Sequence, residues 1–290
     1  MKHSRSIIQD VRGFRYHIRS WGNERHPKLF LLHGWLDVSA SFQFMVDALK
    51  DEWHVLAPDW RGFGFSEWQK GGYYFADYLA DLELLLEHFS PHKPTTLIGH
   101  SMGGNIACLY AGVRPERVNR LVTLEGFGLR DASSELAPER YAKWLSYLVK
   151  PPQFRPYSSF DALAKRLRDN NPRLSESKSL FLAHHSGKSL PSGEVIFNSD
   201  PFHKAISPVL YRLDEAKACW RKIKAPVLWV AAKESEIYKV HQEAPEDYQR
   251  RKACFANVEE VVLSEAGHMM HHDKPEELAA TIERFLRKHA

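Results

Sequence analysis

"LIGHSMGG", Leu97 to Gly104, places one serine between two kinds of secondary structure. A short apolar run typical of a β-strand precedes Gly99, and a helical pattern, "MGGNIACLYAG", begins at Met102. Gly99 and Gly103 complete the pattern Gly-x-Ser-x-Gly, in which a sharp strand-to-helix turn lifts the serine hydroxyl off a sheet. A chance match in a surface loop would lack this setting. The sequence therefore predicts Ser101 as a nucleophile.

Outward from this turn, short apolar runs alternate with helical stretches. Such alternation is typical of a mostly parallel sheet with helices on both faces. The predicted parallel strands are "KLFLL" before His33, "HVLAP" before Asp59, "TTLIG" before His100, "RLVTL" before Glu125, "PVLWV" before Ala231 and "EVVLS" before Glu265. At the N-terminus, "IIQDV" and "FRYHIRSW" flank an Arg-Gly turn and predict an antiparallel hairpin. The predicted fold class is therefore α/β.

The alternation stops over residues 129–220, where Pro, Ser, Arg and Lys become frequent. This segment predicts a separate helical lobe inserted into a core formed by residues 1–128 and 221–290. Its predicted helices are "PERYAKWLSYLV", "FDALAKRLRDN" and "SESKSLFLAHHS".

Composition narrows the function classes. A chain of 290 residues that is 43% hydrophobic can bury one large core with an inserted lobe. The 40 Lys and Arg against 36 Asp and Glu include no long basic run, so nucleic acid is not an expected partner. Cys108, Cys219 and Cys254 form no CxxC pair, which predicts neither disulfides nor a zinc site. No secretory or membrane-spanning segment is apparent, so we expect a cytoplasmic protein, with peripheral membrane contact by the middle third left open.

A histidine that can serve as the base follows the last predicted strand. "SEAGHMMHHDKPEEL" places His268 in a glycine-containing loop before the last helix, which agrees with the chain order Ser, acid, His. A metal site at His268, His271 and His272 is the alternative, but no carboxylate or cysteine lies at ligand spacing nearby. We therefore expect no metal, and we interpret His271 and His272 as surface histidines.

Backbone donors for an oxyanion are predicted beside the nucleophile. "FLLHGWLD", Phe30 to Asp37, gives a second strand end with His-Gly at its exit. The N–H groups of Trp35 and Met102 are then placed to hold an oxyanion. We interpret His33 as structural, and Asp59 and Arg61 in "PDWRGFGFSE" as fixing a turn beside the pocket.

Four motifs together resemble the α/β-hydrolase superfamily: "HGW", "DWRGFGFS", "GHSMGG" and "EAGHMMHHDKPEEL". The lobe resembles the serine hydrolase-like subgroup through "LAKRLRDNNPRLSE", "NSDPFHKAISPVLY" and "CWRKIKAPVL". The resemblance implies a helical cap over a pocket at the carboxyl ends of the strands. Haloalkane dehalogenases and epoxide hydrolases share the "HGW" opening and the cap but have an aspartate as nucleophile. Ser101 therefore favours acyl transfer through a serine ester.

The third catalytic group is less clear from the sequence. In the family pattern the acid follows the seventh strand, which here falls on Ser235, between Glu234 and Glu236. Some dehalogenase relatives carry the acid just after the sixth strand, which corresponds to Glu125. A glutamate at the end of an apolar strand needs a partner when buried, whereas Glu234 lies among charges that water can solvate. We therefore predict Glu125 as the acid, with Glu234 as the main alternative and Glu236 or no acid as the remaining ones.

Together these residues predict a serine hydrolase of the carboxylesterase type, with no cofactor, that acts on a small-molecule acyl substrate. Trp35, Phe127 and Trp144 are candidate aromatic walls of its pocket. The alternatives are a carbon–carbon bond hydrolase with the same catalytic groups, and a non-catalytic module that binds a ligand in the pocket. A homodimer is left open, and the sequence does not identify the natural substrate.

Overall fold

A computed structural model describes residues 1–290 of the chain. Its centre is an eight-stranded sheet in which the strands lie in the order β1-β2-β4-β3-β5-β6-β9-β10. The strands of this sheet are β1 Ser4–Val11, β2 Phe14–Trp21, β3 Lys28–Leu32, β4 His54–Pro58, β5 Thr95–His100, β6 Val118–Leu124, β9 Val227–Ala232 and β10 Val258–Leu263.

Only the N-terminal hairpin departs from parallel pairing. β1 pairs antiparallel with β2, and β2 pairs antiparallel with β4, whereas every further pair is parallel. The predicted α/β fold with a mostly parallel sheet is confirmed, including its opening hairpin. The carboxyl ends of β3, β5, β6 and β9 consequently lie side by side at one edge of the sheet, where pockets of open α/β folds form.

Helices cover both faces of the sheet. Those outside the middle segment are α1 Gln43–Ala48, α2 Phe75–Phe89, α3 Met102–Val113, α8 Glu236–Glu243, α9 Pro245–Lys252, α10 Met270–Asp273 and α11 Pro275–Lys288. The apolar residues form two large clusters, which contain Trp229 of β9 and Val230 of β9 respectively. Adjacent residues of one strand point to opposite faces, so the sheet is covered by apolar packing on both sides.

The segment between β6 and β9 contributes nothing to the large sheet. It contains α4 Ala137–Val149, α5 Phe160–Asn170, α6 Glu176–Ser186, β7 Gly187–Ser189, β8 Val195–Phe197 and α7 Leu213–Trp220. The small sheet of β7 and β8 was not predicted, because strands of three residues give no periodic signal. The predicted domain boundaries at 128/129 and 220/221 stay a prediction. No helix of the chain has the length and apolarity that a membrane span requires.

Candidate active site

Ser101 occupies a strained turn between β5 and α3. Its backbone angles are φ 52° and ψ −115°, a conformation that non-glycine residues adopt rarely. The Ser101 N–H donates to the Leu124 carbonyl oxygen at 2.8 Å, and the Asn105 N–H donates to the Ser101 carbonyl at 3.0 Å. These bonds to β6 and α3 hold the backbone on both sides of the serine.

Two glycines of the motif make this turn sterically feasible. A Cβ on Gly99 would lie 2.4 Å from the Gly103 carbonyl oxygen, and a Cβ on Gly103 would lie 2.1 Å from the Leu32 oxygen of β3. Any side chain at either position would therefore collide with backbone. The glycine spacing predicted from the sequence is thus required by the close packing of β3, β5 and α3.

His268 lies in the loop between β10 and α10, next to the serine turn. Its backbone oxygen accepts a hydrogen bond from Nε2 of His100, the residue before Ser101, at 2.8 Å. The two imidazole rings are 4.6 Å apart between centroids. Nδ1 of His268 lies 2.7 Å from Oε2 of Glu125, and about a third of the His268 side chain remains exposed. The ring is therefore held at one nitrogen, with Nε2 left without a protein partner.

Glu125 follows β6 directly and is completely buried as a side chain. Its backbone has a positive φ of 52°, and its N–H donates to the Val230 oxygen of β9 at 3.0 Å. Its Oε1 accepts the Ala232 N–H at 3.1 Å, and its Oε2 accepts the Ser235 hydroxyl at 2.6 Å in addition to the bond with His268. These donors compensate the cost of burying a carboxylate.

The two other candidate acids lie away from His268. Glu234 forms an ion pair with Arg173, and nearly half of its side chain is exposed. Glu236 pairs with Lys239 at 2.6 Å and is 85% exposed. The structure therefore brings Ser101, His268 and Glu125 into one region and leaves the glutamates after β9 in solvent. Ser235, which stands at the family's usual acid position, acts as a donor to Glu125.

The two residues predicted to supply oxyanion donors, Trp35 and Met102, lie in segments next to Ser101. Met102 is the first residue of α3, where backbone N–H groups have no acceptor within the helix. The loop after β3 packs against the serine, since a Cβ on Gly34 would stand 3.2 Å from Cβ of Ser101. Trp35, the next residue, and Met102 both line a cavity of about 140 Å³.

That cavity lies between the core and the middle segment. Trp144 of α4 lines it, and the Trp35 indole N–H donates to the His203 carbonyl oxygen at 3.1 Å. Its remaining wall is largely aromatic, formed by Tyr73, Tyr74, Phe75, Tyr78 and Phe202 among others. A second cavity of about 260 Å³ lies on another side of Trp35 and includes Met269, the residue after His268.

The prediction of Phe127 as a pocket wall is wrong. Its side chain is 1% exposed and stacks on Trp229 of β9, with ring centroids 4.2 Å apart. Phe127 belongs to the apolar cluster that contains Trp229. It therefore does not face the cavity that Trp35 and Trp144 line.

The prediction of His271 and His272 as surface residues is also wrong. Both are buried, and Nε2 of each lies within hydrogen-bond distance of the Ser41 hydroxyl, at 2.9 and 2.6 Å. The short helix α10 packs beneath the segment that precedes α1, and Phe42 and Phe44 lie against the two rings. Burial lowers the pKa of His272 well below its usual value.

The remaining motif residues are structural. His33 is fully buried, with Nδ1 bonded to the Gly34 oxygen at 2.7 Å and Nε2 accepting the Trp60 N–H at 2.9 Å. Asp59 accepts hydrogen bonds from His17 and from the backbone N–H groups of Ser39 and Phe65. Burial opposes its ionisation, but the bond and charge of His17, together with the charge of His33 and the Phe65 N–H, lower the pKa of Asp59 to about 2.

The family model of the alpha/beta hydrolase fold matches residues 27–275. The chain belongs to the α/β-hydrolase family. The resemblance predicted from the four motifs is confirmed, as is the similarity of this α/β-hydrolase to serine hydrolase-like proteins. It is 27% identical to the serine hydrolase-like protein of Danio rerio over 92% of this chain and 83% of the relative. Serine hydrolase-like protein 2 of Homo sapiens is 23% identical over 92% of this chain and 89% of its own length.

Among solved structures, this α/β-hydrolase is similar to a thioesterase domain from the curacin biosynthetic pathway. The two superpose with a TM-score of 0.86 and 27% identity, covering 97% of this chain and 99% of the other. A hypothetical protein of Pseudomonas aeruginosa PAO1 superposes with a TM-score of 0.86 at 21% identity and supports the fold alone. These likenesses agree with a hydrolase fold along nearly the whole chain.

Sequence reasoning did not find two contributors to the site. Ser235 attracted attention only as a missing acid, and no pattern linked its hydroxyl to a carboxylate 110 residues earlier. His100 was quoted within the motif, but nothing indicated its bond to the His268 loop. Contacts between residues so far apart in the sequence depend on which strands are neighbours in the sheet. The order of the strands is not evident from the local sequence pattern.

Proposed function

We propose that this α/β-hydrolase cleaves a carboxylic ester or a related acyl bond through an acyl-enzyme on Ser101. The hydrogen bond of 2.7 Å between Nδ1 of His268 and the buried Glu125 carboxylate carries the proposal. An ionised acceptor at Nδ1 keeps the proton on that nitrogen and leaves Nε2 as a base. A solvated surface histidine would have no need of a buried carboxylate with two further donors.

The reaction begins when the Ser101 oxygen attacks the acyl carbon and His268 takes the serine proton on Nε2. The negative charge that develops on the former carbonyl oxygen is stabilised by the N–H groups of Trp35 and Met102. Glu125 stays ionised and stabilises the imidazolium. His268 then gives the proton to the departing alkoxide or thiolate, which leaves as an alcohol or thiol.

A water molecule completes the turnover. His268 takes one of its protons while its oxygen attacks the acyl-enzyme, and a second tetrahedral species forms in the same pair of N–H groups. Its collapse returns the proton to the Ser101 oxygen and releases the carboxylic acid. The chemistry uses groups of this chain and water, so the proposed reaction includes no cofactor.

A thioester is a specific second candidate within this chemistry. The likeness to a thioesterase domain supports it, because that likeness extends over nearly both chains. The aromatic cavity beside Trp35 and Met102 suits an apolar acyl group in either case. A panel of p-nitrophenyl esters and acyl-CoA thioesters of matched chain length distinguishes the two leaving groups.

Labelling by a fluorophosphonate probe tests the proposal. Wild-type protein is expected to be labelled on Ser101, while Ser101→Ala loses the label and about 10⁶-fold in kcat. Ser177→Ala, which alters an exposed serine, serves as the matched control and should behave as wild type. An unlabelled wild-type protein, or ester hydrolysis by Ser101→Ala within tenfold of wild type, would contradict the assignment and favour the non-catalytic binding module.

A further inference from the structure

A cluster of buried polar side chains lies behind the Ser101 turn, apart from the proposed catalytic groups. Asp37 comes from the loop after β3, His100 ends β5, and His271 belongs to α10. One ligand-type atom of each lies within 4.8 Å of the others. The side chains of Asp37 and His271 are 12% and 0% exposed, and His100 is 1% exposed as a residue. Three segments that are distant along the chain thus bring nitrogen and oxygen atoms together in one buried cluster.

Each of these residues has one polar atom bonded and one without a partner. Oδ1 of Asp37 accepts the Val38 N–H at 2.9 Å, and Nε2 of His271 bonds to the Ser41 hydroxyl at 2.9 Å. Nδ1 of both histidines is buried without any hydrogen-bond partner, and Oδ2 of Asp37 also lacks a hydrogen bond, although it lies 3.7 Å from Nε2 of His271. Buried polar atoms are normally satisfied, so three in one cluster indicate a missing partner.

The tautomer of His100 defines what that partner must be. A backbone carbonyl can only accept, so the bond from Nε2 of His100 to the His268 oxygen places the proton on Nε2. In a neutral ring Nδ1 then carries a lone pair directed into the cluster. Metal-ligating histidines characteristically donate their other N–H to a backbone carbonyl or carboxylate in this way.

We propose that Asp37, His100 and His271 bind one divalent transition ion of the Zn²⁺ type. Two imidazoles and a carboxylate match the ligand preference of Zn²⁺, with a fourth position left for water. Zinc bonds of about 2.0–2.1 Å in a tetrahedron separate ligand atoms by roughly 3.4 Å, so ligand atoms that lie within 4.8 Å of one another must approach by at most roughly 1.4 Å. Residue 34 is glycine, and a Cβ there would lie 3.0 Å from Nδ1 of His100, so a side chain at this position would crowd that nitrogen.

This inference goes beyond the sequence prediction of no metal. That prediction considered His268, His271 and His272 as the ligands and looked for a carboxylate close in sequence. The carboxylate instead comes from Asp37, more than 230 residues from His271, and His100 replaces His268. The ends of β3 and β5 are adjacent in the sheet and bring Asp37 close to His100. The spacing of the ligands along the sequence does not reveal this proximity.

Occupation of the site would cross-link three segments around the nucleophile. The ion would join the β3 loop and α10 to His100, whose ring holds the His268 backbone oxygen. A ligand that binds only the folded state raises its stability, so saturation with Zn²⁺ should raise Tm by several degrees. This effect does not depend on hydrolysis, and Ser101→Ala should bind the ion as wild type does.

Calorimetric titration of chelator-treated protein with ZnCl₂, together with the absorption spectrum of the Co²⁺ form, tests the site. Wild type is expected to bind one ion per chain. Asp37→Asn should weaken binding at least tenfold, because it keeps the Oδ1 acceptor for the Val38 N–H but replaces Oδ2 with an amide nitrogen. His271→Gln should have a similar effect.

Asp131→Asn is the matched control, since Oδ1 of Asp131 likewise accepts a backbone N–H, that of Leu213, away from the cluster. It should retain wild-type affinity. The chain has 16 histidines, so non-specific binding must be separated from the site. Absence of saturable binding in wild type, or unchanged affinity in Asp37→Asn, would overturn the proposal. Loss of esterase activity without any change in these titrations would bear on the proposed function alone.

Discussion

At the scale of single residues, Glu125 and Ser235 stand in the reverse of the family's usual arrangement of carboxylate and neutral residue. The position after β9 that usually supplies the acid holds a serine, and the carboxylate stands at the end of β6. Because the ends of β6 and β9 are adjacent in the sheet, either strand can place a side chain beside His268. Ser235 donates its hydroxyl to the same Glu125 oxygen that faces His268, which fixes the carboxylate.

Glu125→Gln tests this assignment. The amide keeps the shape of the side chain but removes the charge that favours the proton on Nδ1 and stabilises the imidazolium, so kcat should fall by about 10⁴-fold. Glu234→Gln, the matched control, should stay near wild type because Glu234 pairs with Arg173 in solvent. Steady-state kinetics on a p-nitrophenyl ester provide the measurement. The reverse pattern, a steep loss only in Glu234→Gln, would assign the acid to the loop after β9.

The sequence indicated Ser101 and His268 because both belong to short motifs with a defined setting. Glu125 required a physical argument, namely that a carboxylate at the end of an apolar strand must have partners. Phe127 could not be placed in this way, since an aromatic residue after a strand can face either the core or the pocket. The interpretation of His271 and His272 as surface residues was wrong because polar residues are usually exposed. Here both rings are buried and bond to the Ser41 hydroxyl, which lies about 230 residues earlier in the chain.

At the scale of secondary-structure elements, periodicity predicted the amphipathic helices well. α5 Phe160–Asn170 coincides with the predicted segment, and α4 and α6 differ from theirs by one residue at the start. Residues 236–252 gave no such prediction, because α8 and α9 are strongly polar. Because α4 buries no residue and was still predicted, apolar spacing in the sequence, and not burial, made a helix predictable.

α4 is the element expected to select the substrate. None of its residues is buried, and Trp144 faces the cavity that Trp35 and Met102 also line. Trp144→Ala should therefore enlarge the acyl site and raise kcat/KM for long-chain relative to short-chain esters by about tenfold, a difference of roughly 1.4 kcal/mol. The chemistry should be unaffected, so labelling of Ser101 by the probe should persist.

Leu145→Ala provides the control for this prediction, because Leu145 is the next residue on α4 but is 54% exposed and does not line the cavity. The ratio of kcat/KM for long-chain to short-chain esters should be the same in Leu145→Ala as in wild type. An equal change in both variants would indicate a general loosening of α4. An unchanged profile in Trp144→Ala would place the acyl site elsewhere, with the cavity that contains Met269 as the next candidate.

At the scale of the whole molecule, one buried ionic network joins the N-terminal hairpin to the parallel core. Asp81 of α2 accepts hydrogen bonds from the Arg61 guanidinium and from the Tyr16 hydroxyl of β2. The Arg61 and Asp81 side chains are 1% and 0% exposed. Arg61 follows β4 in the motif "DWRGFGFS", so this motif fixes the antiparallel edge of the sheet. The sequence analysis expected a turn held by Asp59 and Arg61, but the two residues have different partners.

Because the pair is buried, removal of the Asp81 charge leaves the Arg61 guanidinium with the Asp77 carboxylate at 3.8 Å as its one remaining anionic partner. Asp81→Asn should lower the free energy of unfolding by about 3–5 kcal/mol, since the amide would turn a donor toward the donors of Arg61 and Tyr16. Asp169→Asn is the control, because Asp169 pairs with Lys165 on the surface of α5, where both side chains are at least half exposed. The free energy of unfolding of Asp169→Asn should stay within about 0.5 kcal/mol of wild type.

Urea unfolding monitored by the tryptophan fluorescence of the chain measures the free energy of unfolding of both variants. A loss below about 1 kcal/mol in Asp81→Asn would mean that the network stabilises the hairpin no more than an exposed pair does, and that apolar packing around Tyr16 and Ile18 holds this edge instead.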